Sequence, residues 1–279
     1  MTSTLQIDRV GGGLGAVIAG VRLAEMSDDT FAAVHRALVT HGVVFFRDQH
    51  LTADEQLALA QRFGQCSIYP IERMFGSVEP GQQVIVDDEN SPPGTDLWHT
   101  DVSWLDQPPK FAVLTCLEVP AYGGDTMWCS TEAAYNDLSP AMQGVLAGLR
   151  AVHSCWPGFC EIAERKSGFE GLAERIHAAY PDQLHPIVRT NPDTGAKALY
   201  LTDRTVMQSI EGMSQAESDV LLDFLLAHVD QPRFHVRWHW AEGDIAIWDE
   251  RTTLHRGVSD HHPQRRVVRR CTVDGEVPA

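Results

Sequence analysis

The chain has 279 residues, 43% of them hydrophobic, with 22 Lys and Arg against 38 Asp and Glu and a formal net charge of −16. A surface of that sign repels phosphate backbones, so a general nucleic-acid binder is excluded unless the few cations gather in one place. No stretch reaches the roughly 18 apolar residues of a membrane-spanning helix, and the early apolar run at 11–21 is Gly-rich and closes on Arg22 without a basic leader. A cytoplasmic protein is expected, with no membrane partner. Its six cysteines form no CxxC pair, so reduced, mostly buried thiols are expected as well.

In chain order, a helix is predicted over 28–40, capped by Ser27, followed by a strand over 42–47. A second helix over 52–63 opens with Thr52 and Glu55 at capping-box spacing. Short β-rich runs follow at 84–87, 111–119 and 124–129, then helices at 139–149 and 158–180. A strand at 198–201, a helix at 214–228 and strands at 234–240, 244–248 and 265–273 complete the pattern. No repeat, low-complexity tract or linker divides these elements, so residues 1–279 read as a single domain. Many short strands with helices between them indicate a mainly β fold with helical insertions, a β-sandwich or jelly roll.

Thirteen histidines supply the first candidates for metal or acid–base chemistry. A His followed two residues later by Asp puts two ligand types on one face of a strand, but about one such pair is expected by chance in a chain of this composition. Two occur. His228 and Asp230 end a predicted helix, where residues two apart diverge by roughly 200°. His99 and Asp101 lie in DLWHTDVSW, which alternates like a strand, and that pair can converge. A facial triad needs one more His, and His255, after the apolar run DIAIWDERTTL, is the best candidate. Ten residues separate His255 from Arg266, so a turn at SDHHPQ would bring Arg266 back beside it.

The final run QRRVVRRCTV holds four arginines within six residues. Alternation puts Arg266 and Arg270 on one face and Arg265 and Arg269 on the other. An inward pair of guanidiniums would require anionic ligands to meet it. The alternative is an edge strand whose arginines are solvated on both faces.

These blocks resemble the taurine/2-oxoglutarate dioxygenase (TauD/TfdA) family of Fe(II)-dependent oxygenases, in order and spacing. The likeness runs through GAVIAGVRL, GVVFFRDQHLTADEQLALAQRFG, WHTDVSW, PPKFAVLTCLEVPAYGGDTMW, ALYLTD, GDIAIWDERTTLH and PQRRVVRRCTV. It implies a double-stranded β-helix, a cupin-like jelly-roll barrel, and His99, Asp101 and His255 as catalytic Fe(II) ligands. It also implies 2-oxoglutarate as cosubstrate, its distal carboxylate held by Arg266 and Thr126, with O2 as the oxidant. Arg270 would reach the substrate's anionic group or support the cosubstrate. The reaction implied is hydroxylation of a C–H coupled to conversion of 2-oxoglutarate to succinate and CO2. On a carbon bearing a sulfonate, as in taurine catabolism, the product collapses to an aldehyde and sulfite; alkyl sulfates and aryloxy acids are the alternative substrates. The presence of Asp101 favours hydroxylation over halogen transfer. Family members are commonly dimers or tetramers, so a homo-oligomer is expected.

The pattern departs from taurine users at one point. They carry a histidine in the loop where this chain reads CSIYPIERMFG, with Pro70 at that place. The other pocket positions are Arg73, Thr95, Val102, Trp104, Phe159 and Val206, which implies a reshaped pocket for a small anionic substrate. Arg73 could supply the missing cation or lie on a mobile surface loop. Trp98, Trp128 and Trp248 could wall the site or serve as core aromatics. His235 and His239 read as the polar face of a strand, His261 and His262 as turn residues with no second metal, and 87–89 as a solvated strand end. A non-catalytic anion-binding barrel and a zinc hydrolase using the same ligands are the competing readings.

Overall fold

The computed structural model describes residues 5–76 and 81–279, with Lys166 by its backbone alone. The chain begins with β1 (Gln6–Arg9), β2 (Ala16–Ala19), α1 (Asp28–His41), β3 (Val43–Phe46), α2 (Ala53–Gln61) and α3 (Pro70–Met74). It continues with β4 (Gln83–Asp87), β5 (Phe111–Glu118), β6 (Thr126–Ser130), α4 (Thr131–Asp137), α5 (Pro140–Leu146) and β7 (Arg150–His153). Next come α6 (Gly158–Ser167), α7 (Leu172–Ala179), β8 (Gln183–Pro186), β9 (Val188–Thr190), β10 (Lys197–Leu199), β11 (Met207–Ile210) and α8 (Gln215–Val229). The last strands are β12 (His235–Trp238), β13 (Ile245–Asp249), β14 (Thr253–Gly257) and β15 (Arg266–Val273).

The main sheet has seven strands in the order β1-β2-β3-β13-β5-β15-β4, and a three-stranded sheet, β12-β6-β14, faces it. Alternation along the central strands explains why their sequences are apolar throughout. Val43, Phe45, Ala246 and Trp248 point between the two sheets, where they pack with Trp128 and Trp238. Val44, Phe46, Ile245 and Ile247 point the other way, into a core closed by α1 and α2. A strand buried on both faces has no polar side to display. The resulting architecture is mainly β with helical insertions, and no helix among the described residues is long and apolar enough to cross a membrane.

Local chemistry sets the helix starts. Ser27 accepts a hydrogen bond from the Thr30 amide, and Thr52 with Glu55 closes the expected capping box. The helix predicted over 158–180 is instead two, α6 and α7, because Gly168 and Gly171 both adopt left-handed backbone at the break. The segment predicted at 139–149 stops early, at Leu146.

Candidate active site

The WHTDVSW segment is not the strand that its alternation predicts. His99 makes a single antiparallel bridge with His255, the amide of each donating to the other's carbonyl at 3.0 and 2.8 Å. The chain then turns, with Val102 at φ 41°, and this turn rather than strand pleating swings Asp101 back toward the two imidazoles. Asp101 Oδ1 lies 3.8 Å from Nε2 of both His99 and His255, and the potential ligand atoms of the three residues lie within 4.8 Å of one another.

The protonation pattern suits a divalent cation. His99 Nδ1 sits 2.7 Å from the Leu97 carbonyl, which can only accept, so Nδ1 carries a proton and Nε2 is the nitrogen turned toward Asp101. Burial, then the neighbouring His99, pushes the His255 imidazole well below its usual range, so it is neutral. Burial would raise Asp101, but the Arg270 guanidinium outweighs it, helped by the two imidazoles, and holds the carboxyl below its usual range. Two imidazoles and one carboxylate are the donor set that a non-haem Fe(II) site uses.

Arg270 Nη1 donates to both Asp101 oxygens, at 2.7 and 2.6 Å, and Nη2 donates to Gln83 Oε1 at 2.6 Å. Arg266, four residues earlier on β15, is buried beside Thr126 instead of against His255 itself. Thr126 stands opposite Gly257 on β14, two residues past His255. The Thr126 hydroxyl oxygen accepts from Arg266 Nη2 at 3.2 Å and from Trp240 Nε1 at 2.9 Å. Its own proton is therefore free to donate, and the buried Arg266 Nε has no partner, a donor pair suited to a carboxylate.

Residues 87–89 are not simply a solvated strand end, because Asp87 is buried, with Arg266 Nη1 at 3.4 Å and His261 Nε2 at 3.6 Å. His261 is accordingly buried and not an ordinary turn residue, whereas His262 remains in the turn. Arg269, on the opposite face from Arg270, is also buried: its Nε donates to Gln56 Oε1 and its Nη2 to the Leu51 carbonyl. The solvated-edge alternative fails, since β15 pairs with β4 on one side and β5 on the other. His235 is not on a polar face; its ring packs on Trp98 at 4.6 Å and its Nε2 bonds the Val229 carbonyl. His239 is 76% exposed and bonds Asp125.

A cavity of about 430 Å³ opens over Asp101 and Arg270, lined among others by Tyr69, Pro70, Arg73, Val102, Trp104 and Tyr180. Phe159 of α6 stands 5.0 Å from Trp104, and Val206 packs in the same apolar cluster with Ile71 and Met74. Arg73 belongs to α3 and is exposed at the cavity wall, not carried on an irregular loop. Thr95 is not among the residues lining this cavity; it is exposed, and its carbonyl accepts from the Gly257 amide. Trp128 and Trp248 are fully buried core aromatics, although Trp248 also lies 4.8 Å from the His255 ring. Trp98 Nε1 donates to Asp230, which leaves His228, bonded to the Ala134 carbonyl, pointing elsewhere.

Residues 6–272 match the family model described as "Taurine catabolism dioxygenase TauD, TfdA family". The chain belongs to this family. The TauD/TfdA enzymes are oxidoreductases that use Fe(II), 2-oxoglutarate and O2, and this chain is such a dioxygenase. An alkylsulfatase from Acinetobacter baylyi is 37% identical over 282 residues, covering 99% of this chain and 87% of its own length. An alpha-ketoglutarate-dependent sulfate ester dioxygenase from Pseudomonas putida is 36% identical, covering 98% and 91%. The crystal structure of a taurine dioxygenase from Burkholderia xenovorans superposes with a TM-score of 0.82 at 31% identity, covering 99% of this chain and 91% of that one.

Glu250 was missed by the sequence reading. It is 2% exposed behind the triad, and its Oε2 accepts from Thr100 Oγ1 at 2.8 Å and from the Asp101 amide at 3.1 Å. Burial, then the Asp101 charge, pushes it well above the usual range. The acidic pair Asp249 and Glu250, closing the apolar run IAIW shortly before His255, was the available signal.

Proposed function

We propose that this TauD/TfdA dioxygenase oxidises the carbon next to the ester oxygen of an alkyl sulfate, giving an aldehyde and inorganic sulfate. The observation that carries this reading is the cavity beside Asp101, which combines the cations Arg73 and Arg270 with Val102 and Trp104 and adjoins an apolar cluster containing Ile71, Met74 and Phe159. Pro70 offers no donor where a taurine user places its histidine, and an apolar wall suits an alkyl chain better than the ammonium end of taurine. The relatives named for sulfate esters point the same way.

In this reading His99, Asp101 and His255 hold Fe(II), and Arg266 with Thr126 holds the distal carboxylate of 2-oxoglutarate. Iron with its cosubstrate supplies O2 activation and removal of hydrogen from the substrate carbon. Arg270 steadies anionic oxygens near Asp101, while Arg73 meets the sulfate. Trp104, Phe159 and Val206 orient the chain and keep water from the reacting carbon. Hydroxylation there leaves a carbon carrying both a hydroxyl and a sulfate ester; the C–O bond to sulfate breaks as the hydroxyl becomes the aldehyde carbonyl and gives up its proton. The substrate carbon is oxidised by two electrons, and 2-oxoglutarate is oxidised to succinate and CO2 as O2 is reduced.

We also read the chain as one domain whose two facing sheets form the double-stranded β-helix, a reading supported by the aromatic core between them. The functional test is a panel of taurine, longer alkanesulfonates, alkyl sulfates and aryloxy acids, scoring sulfite, sulfate and aldehyde against succinate. One sulfate per succinate from an alkyl sulfate is expected. Sulfite from taurine at that ratio, with none of the alkyl sulfates consumed, would overturn the choice of substrate.

A further inference from the structure

The two outer imidazole nitrogens of the triad are treated unequally. His99 Nδ1 is fixed by the Leu97 carbonyl at 2.7 Å. His255 Nδ1 is buried without a hydrogen-bond partner, and the nearest carboxylate oxygen, Glu250 Oε2, stands 3.9 Å away. A metal-bound imidazole nearly always donates its other N–H to a carbonyl or carboxylate, which fixes the tautomer and the ring's orientation. Glu250 is the group placed to receive that donation, and it is itself fixed from three directions. Its Oε1 accepts from Trp248 Nε1 at 2.7 Å, and its Oε2 accepts from Thr100 and from the Asp101 amide. One side chain thus joins β13, the turn carrying Asp101 and the ring on β14.

We propose that Glu250 is a positioning residue of the metal centre, setting the His255 ring and the Asp101 backbone relative to one another by accepting the His255 Nδ1–H. Closing 3.9 Å to hydrogen-bond length is a shift of roughly 1 Å. Each of the two ligand histidines then has its own acceptor, a backbone carbonyl for His99 and a side-chain carboxyl oxygen for His255. This inference rests on the proposed metal centre, and the test separates the two.

Mn(II) affinity of the full chain is measured by EPR for wild type, Glu250→Gln and a His99→Ala control. The Co(II) forms are examined for the exchangeable, hyperfine-shifted imidazole N–H protons. Glu250→Gln is expected to weaken Mn(II) binding by about 10–100-fold, to move or abolish the His255 proton signal, and to leave the His99 signal in place. A purely structural role would lower the stability of the metal-free variant yet leave Mn(II) affinity of the folded protein and both signals intact; that result overturns the proposal. Should Glu250→Gln not fold, Thr100→Val removes one of the bonds that aim Glu250 and should shift the same signal and weaken Mn(II) binding, and unchanged values would again overturn it. If wild type binds Mn(II) no better than His99→Ala, the metal centre itself fails.

Discussion

His153 offers a sharp test of the electrostatics behind the active-site turn. It ends β7 fully buried, its Nδ1 2.9 Å from Ser103 Oγ, with its ring stacked on Tyr200 and 5.2 Å from the His185 ring. Burial, with the His185 charge as a second cause, pushes its pKa down from 6.5 to about 3. Below pH 6.5 the unfolded chain takes up this proton, but the folded chain does so only near pH 3. The unfolded state therefore binds more protons across that window, and stability falls as the pH drops through it. At about pH 5 this one residue costs about 2 kcal/mol relative to neutral pH, and the slope it adds is about 1.4 kcal/mol per pH unit. His185 is lowered by burial too and adds a slope of the same sign. Urea unfolding of metal-free wild type and His153→Asn, at several pH values between about 7.5 and 5, reads the difference. Asparagine can still bond Ser103 but cannot titrate, so its curve should be shallower by one proton. Parallel curves for the two proteins would refute the reasoning.

Three further outcomes follow from the site. Asp101→Asn removes the charge that both satisfies buried Arg270 and would bind metal, so the metal-free variant should lose about 3–5 kcal/mol in urea unfolding, the cost of breaking a buried pair; a loss near zero would show that the pair is solvated. Arg266→Gln removes a buried, charge-assisted donor worth about 1.5–3 kcal/mol, so anaerobic calorimetry should show 2-oxoglutarate binding weakened by about 10–100-fold, with Mn(II) binding unchanged. Arg73 is exposed, where an ion pair contributes about 0.2–1 kcal/mol, so Arg73→Gln should raise KM for an alkyl sulfate by only a few fold and leave KM for 2-oxoglutarate alone. A loss of a hundredfold would mean that Arg73 becomes buried around the substrate.

What the sequence made legible was local. Capping at Ser27 and Thr52 depends on residues three apart, and the two-faced burial of β3 and β13 is written in the apolar runs VVFF and IAIW. The break between α6 and α7 was harder to read, because periodicity continues across it and only the left-handed glycines mark the stop. In the site, spacing brought out the triad for a reason the structure changes. His99 and Asp101 converge through one bridge and a turn at Val102, so the alternation that suggested a strand was a coincidence of composition. Thr100 and Glu250 are 150 residues apart, Gln56 and Arg269 are 213 apart, and no periodicity links such pairs.

The arginine run shows why burial mattered more than sign. Arg266, Arg269 and Arg270 are all withdrawn from a surface that is otherwise acidic, yet their environments differ. Arg269 meets the Gln56 side-chain oxygen and a backbone carbonyl under α2, and so ties β15 to that helix. Arg270 is neutralised by the same carboxylate that would bind metal, so cation binding at the triad and the freedom of Arg270 to meet another anion are coupled. Arg266 keeps an unsatisfied Nε although Asp87 and Thr126 are at hand, and an unmade bond at a buried guanidinium costs stability unless a ligand completes it. Three arginines within five residues thus divide between a contact within the fold, the proposed metal centre and the proposed cosubstrate site. The division follows from which face of β15 each occupies and what the opposing strand or helix presents to it.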